Sequence, residues 1–177
     1  GAVVGNIFTS PSAAQVYSVA KAADQGRGVI LTFGNYAGDV MNFGIAADRL
    51  RREGIDTRIV LVTDDVASSP VEEQRRGIAG DFTVFKALGA AAAAGAGIDD
   101  VERVGRAANA ATRTFGVAFS GCTMPGAHEP LFTVPDRHMG VGLGIHGEPG
   151  IRDAPLVPAR ELAAMLVDGI LAERPDT

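Results

Sequence analysis

The fold is decided by the stretch Gly28-Val29-Ile30-Leu31-Thr32-Phe33-Gly34-Asn35-Tyr36-Ala37-Gly38-Asp39. Its first six residues form a short apolar run rich in β-branched side chains, the pattern of a strand buried on both faces. The glycines and polar residues after it predict a loop. Beyond that loop Val40, Phe43, Ala47 and Leu50 recur at helical spacing, which predicts a helix over 40–53 closed by Gly54. Residues 57–63 predict the next strand, with Asp64 and Asp65 at its carboxyl end. Strand, helix and strand in this order imply a parallel pair. In such sheets function gathers at the carboxyl ends of the strands.

Upstream, Ser10 and Pro11 are a helix start, a capping hydroxyl and then a proline where the missing N–H costs nothing. Val16, Val19, Ala20 and Ala23 carry that helix to about Gln25, and Gly26 ends it. Residues 1–8 read as the tail of a strand or loop. There is no initiator methionine, so an incomplete chain is expected. Downstream, 75–80 is a loop, 82–94 and 98–113 are helices, and the alanines at 90–94 are expected to form a close helix-packing face. Strands are predicted over 115–120, 131–134 and 139–143, and a helix over 158–172. The change to short strands near residue 115 suggests a second lobe. The expected class is α/β, a parallel or mixed sheet flanked by helices, with a smaller α+β lobe. The expected parts are 1–114, within the first lobe, and 115–177, its end and the start of the second.

The chain has 177 residues with 46% hydrophobic and 21% charged side chains, which excludes a disordered polypeptide. A net charge of −5 argues against nucleic-acid binding. One cysteine excludes a disulfide framework or a multi-cysteine zinc site. No apolar run is long enough to span a membrane. Residues 1–6 have neither a basic start nor a cleavage site, so a cytoplasmic location is the expectation.

Several constellations admit two readings. Asp39 is either a helix cap or a carboxylate held above the sheet edge as general base or hydroxyl-binding group. Asp64 and Asp65 bind a metal, a sugar hydroxyl or a basic partner, or they serve only in turn formation and capping. Gly142-Leu143-Gly144-Ile145-His146-Gly147 fits G-x-G-x-x-G, but Pro149-Gly150 forbid the helix that a dinucleotide site requires. No P-loop pattern occurs, so no nucleotide cradle is expected on this chain. His146 sits among Gly144, Gly147 and Gly150 with Glu148 two residues on. Its ring is either an accessible one whose tautomer the carboxylate fixes, or that of an ordinary surface-loop histidine. The spacing of His128, His138 and His146 matches no metal pattern. Cys122 lacks a nucleophile signature and is expected to be a packed core thiol.

Five segments together go further. Gly5-Asn6-Ile7-Phe8-Thr9-Ser10-Pro11, Asn35-Tyr36-Ala37-Gly38-Asp39, Asp64-Asp65-Val66-Ala67, Arg75-Arg76-Gly77-Ile78-Ala79-Gly80 and Gly142-Leu143-Gly144-Ile145-His146-Gly147-Glu148-Pro149-Gly150 occur in that order. This arrangement resembles the substrate-binding (K) part of dihydroxyacetone kinases over nearly the whole chain. The resemblance implies that His146 attacks the ketone carbonyl of a short ketose and holds it as a covalent hemiaminal. It implies that Asp39 binds the terminal hydroxyl and assists its deprotonation. Phosphate is then expected from Mg-ATP, or from a phosphorylated carrier, on a separate L part, with no cofactor on this chain. The K part is expected to be a homodimer, inactive as a kinase without the L part.

Three departures from the family pattern shape the substrate expectation. Gly34 stands where the family has a lysine, so the substrate-binding position 34 is expected to leave a larger and less charged pocket, suited to dihydroxyacetone or a longer tetrulose. Asp136-Arg137-His138-Met139-Gly140 lacks the two glutamates of the family's D-x-E-M-E. The family's upstream S-G-G-G-S-G-H-E-P segment is not in this chain, and its K part continues past residue 177. The rival expectation is a non-catalytic ketose-binding or regulatory protein.

Overall fold

The computed structural model describes residues 1–173 and divides into two compact units. The first comprises Gly1–Asp64 and Arg76–Thr112. The second takes Asp65–Arg75 together with the chain from Arg113 onward. Among the described residues no helix is long and apolar enough to cross a membrane.

The first unit holds helix α1 (Ala13–Ala23), strand β1 (Val29–Gly34), helix α2 (Ala37–Arg52), strand β2 (Thr57–Val62), helix α3 (Gly80–Ala93) and helix α4 (Ile98–Ala111). The strands pair in parallel, from Val29 opposite Thr57 to Gly34 opposite Val62. Successive side chains alternate between the two faces. Leu31 and Phe33 therefore enter one core with Val16 and Ala20 of α1 and Phe43, Ala47 and Leu50 of α2. Val60 and Val62 enter the other with Val84 and Leu88 of α3 and Val101 of α4. Helices on both faces explain why these strands read as continuous apolar runs.

Helix α1 starts two residues later than a Ser10 cap would place it. Ser12 is the cap, because Gln15 three residues on completes a capping box: the Gln15 N–H donates to Ser12 Oγ at 3.3 Å and the Ser12 N–H to Gln15 Oε1 at 2.9 Å. The alanines at 90–94 do not form the expected packing face. Ala91 lies against the α3–α4 core while Ala90, Ala92, Ala93 and Ala94 are exposed. The close approach there belongs to Gly105, where a Cβ would stand 2.4 Å from Leu88 Cδ2.

In the second unit, strands β3 (Val117–Ala118), β4 (His138–Val141) and β5 (Arg152–Pro155) form an antiparallel sheet in that order, and helix α5 (Ala159–Leu171) comes after them. Met139, Val141 and Ala154 are its core, covered by Phe115, Leu162 and Met165. Two strand expectations fail here. The run over 115–120 pairs only at Val117–Ala118. Residues 131–134 form no strand: Leu131 donates a single backbone bond to Cys122 O at 2.8 Å, and the Phe132 ring packs over Gly147. Strand β5 lies outside the sequence expectation, since Arg152-Asp153-Ala154-Pro155 buries only Ala154 and carries charges and a proline. That is the composition of an edge strand, which hides the alternation a sequence reading depends on.

Candidate functional site

The carboxyl ends of β1 and β2 carry the polar residues of the first unit. Gly34 is the last residue of β1, and its neighbour Asn35 donates its N–H to Val62 O at 3.1 Å. Tyr36 is the N-cap of α2 and makes no side-chain cap bond. Asp39 is therefore not the cap; it lies in the first helical turn, where the positive end of the helix dipole favours a carboxylate. The side chain is half-buried.

Asp64 settles on the turn-forming reading. It is fully buried and accepts the N–H groups of Ile78 and Gly80, both at 2.9 Å, so it caps the start of α3 from the end of β2. Gly80 must be glycine for this contact, because a Cβ would stand 2.4 Å from Asp64 Cγ. Asp65 belongs to the other unit, where its Oδ1 accepts the Ala67 N–H at 3.1 Å and its backbone bridges to Thr114.

The expected vacancy at Gly34 is closed at its base. A Cβ there would lie 2.8 Å from the Gly77 carbonyl oxygen and 3.4 Å from Asp81 Oδ2. A lysine at 34 would have to displace the Gly77 backbone, and the space beyond is bounded by a carboxylate. Asp81, in the first turn of α3, is the residue that sequence reading missed. Burial, then the charges of Asp64 and Asp39, push its carboxyl up to about 7.

In the second unit, His146 lies on the loop between β4 and β5. The loop is a turn, held by Gly147 N–H to Gly144 O and Gly144 N–H to Glu148 O, both 3.0 Å, with Gly147 at φ 86°. It opens no helix, so the glycine pattern at 142–147 builds no dinucleotide cradle. Glu148 grips His146 twice. Its Oε2 accepts the His146 N–H at 3.0 Å, and its Oε1 lies 2.6 Å from His146 Nδ1. Burial pushes Glu148 up, but its own backbone N–H and the His146 ring and N–H together hold it below its usual range. An ionised carboxylate only accepts, so the proton of the neutral ring sits on Nδ1, and it is in that neutral form that Nε2 carries the lone pair. The side chains are 30% and 32% exposed, so the ring is reachable yet oriented.

The other candidates separate. His128 is exposed, His138 sits in β4 with Nδ1 2.8 Å from Asp136 O, and Cys122 is half-buried in an irregular segment instead of a core. Among the described residues no group of three or more His, Cys, Asp or Glu is arranged to hold a metal.

Comparison with known proteins gives one consistent answer. Residues 1–177 match the model of the Dak1 domain. The chain is 64% identical over 178 residues to the D-erythrulose kinase of Mycolicibacterium smegmatis, covering 99% of this chain and 31% of that protein. It is 45% identical to the dihydroxyacetone-binding subunit DhaK of PTS-dependent dihydroxyacetone kinase 2 of Listeria innocua, covering 97% and 52%. The crystal structure of the dihydroxyacetone kinase of C. freundii superposes with a TM-score of 0.90 at 35% identity, over 98% of this chain and 32% of that one. The chain thus spans about a third to a half of the length of these relatives.

Proposed function

The chain belongs to the Dak1 domain family, and from that premise we propose that it is the ketose-binding part of a kinase for short ketoses, holding the sugar as a hemiaminal on His146. The observation that carries this reading is the 2.6 Å pair between His146 Nδ1 and Glu148 Oε1. It leaves Nε2 as the nucleophilic nitrogen. Nε2 donates its lone pair to the ketone carbon, and the carbonyl π pair moves onto oxygen. The ring sheds its Nδ1 proton to Glu148 to remain neutral, and that same proton is returned through solvent to the alkoxide, which restores the Glu148 carboxylate. The sum is addition of the whole ketose with no water lost. A polyol offers no carbonyl and is rejected.

Asp39, held at the start of α2, accepts the proton of the terminal hydroxyl as that oxygen attacks phosphorus. The phosphate comes from Mg-ATP or a phosphorylated carrier on a separate L-type part, and the K part works as a homodimer. The substrate is a four-carbon ketose, as the name of the 64% identical D-erythrulose kinase suggests. Kinases and kinase subunits among the named relatives favour this over a non-catalytic ketose-binding protein.

The test is native mass spectrometry of the full-length protein with erythrulose, dihydroxyacetone and glycerol. One intact ketose should add to the wild type and none to His146→Ala, whose circular dichroism should be unchanged. Glycerol should add to neither. An adduct that survives in His146→Ala would refute the assignment.

A further inference from the structure

The turn that carries His146 is rich in glycine, with Gly144, Gly147 and Gly150 around His146 and Glu148. Its own bonds are local. They run from Gly147 N–H to Gly144 O, from Gly144 N–H to Glu148 O, and from the His146 N–H and ring to the Glu148 carboxylate. Glycine has more backbone freedom to lose on folding than any other residue, so such local bonds do not by themselves hold the turn in one conformation.

Phe132 supplies a contact from outside the turn. A Cβ on Gly147 would stand 2.8 Å from Phe132 Cδ1, 2.9 Å from its Cβ and 3.0 Å from its Cγ, so the side chain rests directly on the Gly147 backbone. Phe132 is itself held in place. At Gly121 any Cβ would overlap the Phe132 carbonyl oxygen, and the adjacent Leu131 N–H donates to Cys122 O at 2.8 Å. Two glycines far apart in sequence, 121 and 147, thus both make room for one phenylalanine. The core of this unit, Met139, Val141 and Ala154, is covered by Phe115, Val117, Leu162 and Met165 and not by Phe132. Phe132 is half-buried, and what it packs on is the histidine turn. All these residues belong to the second unit.

We infer that Phe132 is a positioning residue for His146: its side chain, packed on Gly147, holds the turn in the one arrangement in which Glu148 grips Nδ1 and Nε2 is left to the ketose. This rests on the reading of the chain as a ketose-binding part. Phe132 acts through the turn and not on the reacting atoms, as a packed side chain that pre-organises a functional group does.

The experiment uses the full-length protein. Native mass spectra titrated with erythrulose and dihydroxyacetone measure the adduct. Ring-nitrogen NMR of His146 without ketose, at pH 8, where an ordinary imidazole is neutral, measures the tautomer. The wild type should show one tautomer, with the proton on Nδ1. A misplacement of about 1 Å costs a reacting group on the order of 10²-fold, so Phe132→Ala should mix the tautomers and weaken both adducts about 10–100-fold. Phe132→Leu, which puts apolar bulk back on Gly147, should recover most of both. Phe132→Val, a smaller truncation, should fall between Ala and Leu, and serves as the test if the alanine variant does not fold. Wild-type affinity in the truncated variant would overturn the proposal. So would a weakened adduct with the ring still in one tautomer, which would make Phe132 a contact of the ketose. Failure of any ketose to add to the wild type would overturn the ketose reading itself, and the tautomer of the free protein would then still decide the role of Phe132.

Discussion

Replacing Asp81 by Asn should make the protein more stable in alkaline solution and leave it unchanged in acid. The Asp81 carboxyl titrates at about 7 in the fold, against about 3.9 in an unfolded chain. Each pH unit across that gap is worth about 1.4 kcal/mol, so complete ionisation costs the folded state at most about 4 kcal/mol. Asp81 is only half-buried, and water screens a partly exposed charge, so about 1–2 kcal/mol is the expected size. The sign comes from proton binding. Between pH 4 and 7 the folded state holds a proton that the unfolded chain has lost, so stability falls as pH rises through this window. Below pH 4 both states are protonated and the contribution is fully present. Asn mimics the protonated acid at every pH. The difference in melting temperature between Asp81→Asn and wild type should therefore be near zero at pH 4 and reach about 2–8 °C in favour of the variant at pH 8. A difference independent of pH, or one that favours wild type at pH 8, would refute the reasoning.

Gly80→Ala must move the buried Asp64 carboxylate off two N–H groups, and urea unfolding should show a loss of about 2–4 kcal/mol. Gly44→Ala, mid-helix in α2 with no atom within 4 Å of the new Cβ, should instead add about 0.5–1 kcal/mol. Glu148→Ala removes a charge-assisted bond worth about 1.5–3 kcal/mol, so the ketose affinity of His146, measured by titration in native mass spectra, should weaken roughly 10–100-fold. Because Glu148 titrates below its usual range, its carboxylate should stay ionised and keep hold of the His146 ring as pH falls through the range where an ordinary glutamate is protonated. Asp39→Asn should leave the adduct intact while lowering turnover in the complete kinase by about 10²–10⁴-fold; an undiminished turnover would reduce Asp39 to a residue that merely complements the dipole of α2.

The parallel pair was legible because burial on both faces writes itself as uninterrupted Val, Ile, Leu and Phe, and β1 and β2 fall within a residue of their expected limits. Helix ends were less so. Ser10 and Ser12 are equally good caps by type, and only the reciprocal bond from Gln15 selects Ser12. The short strands of the second unit had little pattern to read. Leu131 and Phe132 look like a strand but pack on a loop, while the charged Arg152 and Asp153 pair in one. The segment Asp65–Arg75 packs with residues far along the chain, through the Arg113 to Glu72 ion pair at 2.9 Å and the Val66 N–H to Thr114 O bond at 3.1 Å. Nothing local announces that. Of the site, His146 and Glu148 were readable because they are neighbours in sequence. Asp81 was not, because its meaning comes from its proximity to Gly34, Asp39 and Asp64, all on other elements.

The bond from Asp64 to Ile78 and Gly80 also fixes an order of events. The first amides of a helix normally fray and exchange their hydrogens with solvent within the fastest class. Here the Gly80 amide, at the start of α3, and the Ile78 amide in the loop before it are bound to a carboxylate that solvent does not reach. Their exchange reports opening of the sheet end, not fraying of α3, and they should be as slow as amides in β2. During folding the same bond makes the first turn of α3 contingent on β2 being in place. The helix start is then a tertiary event, recorded at two amides on one carboxylate.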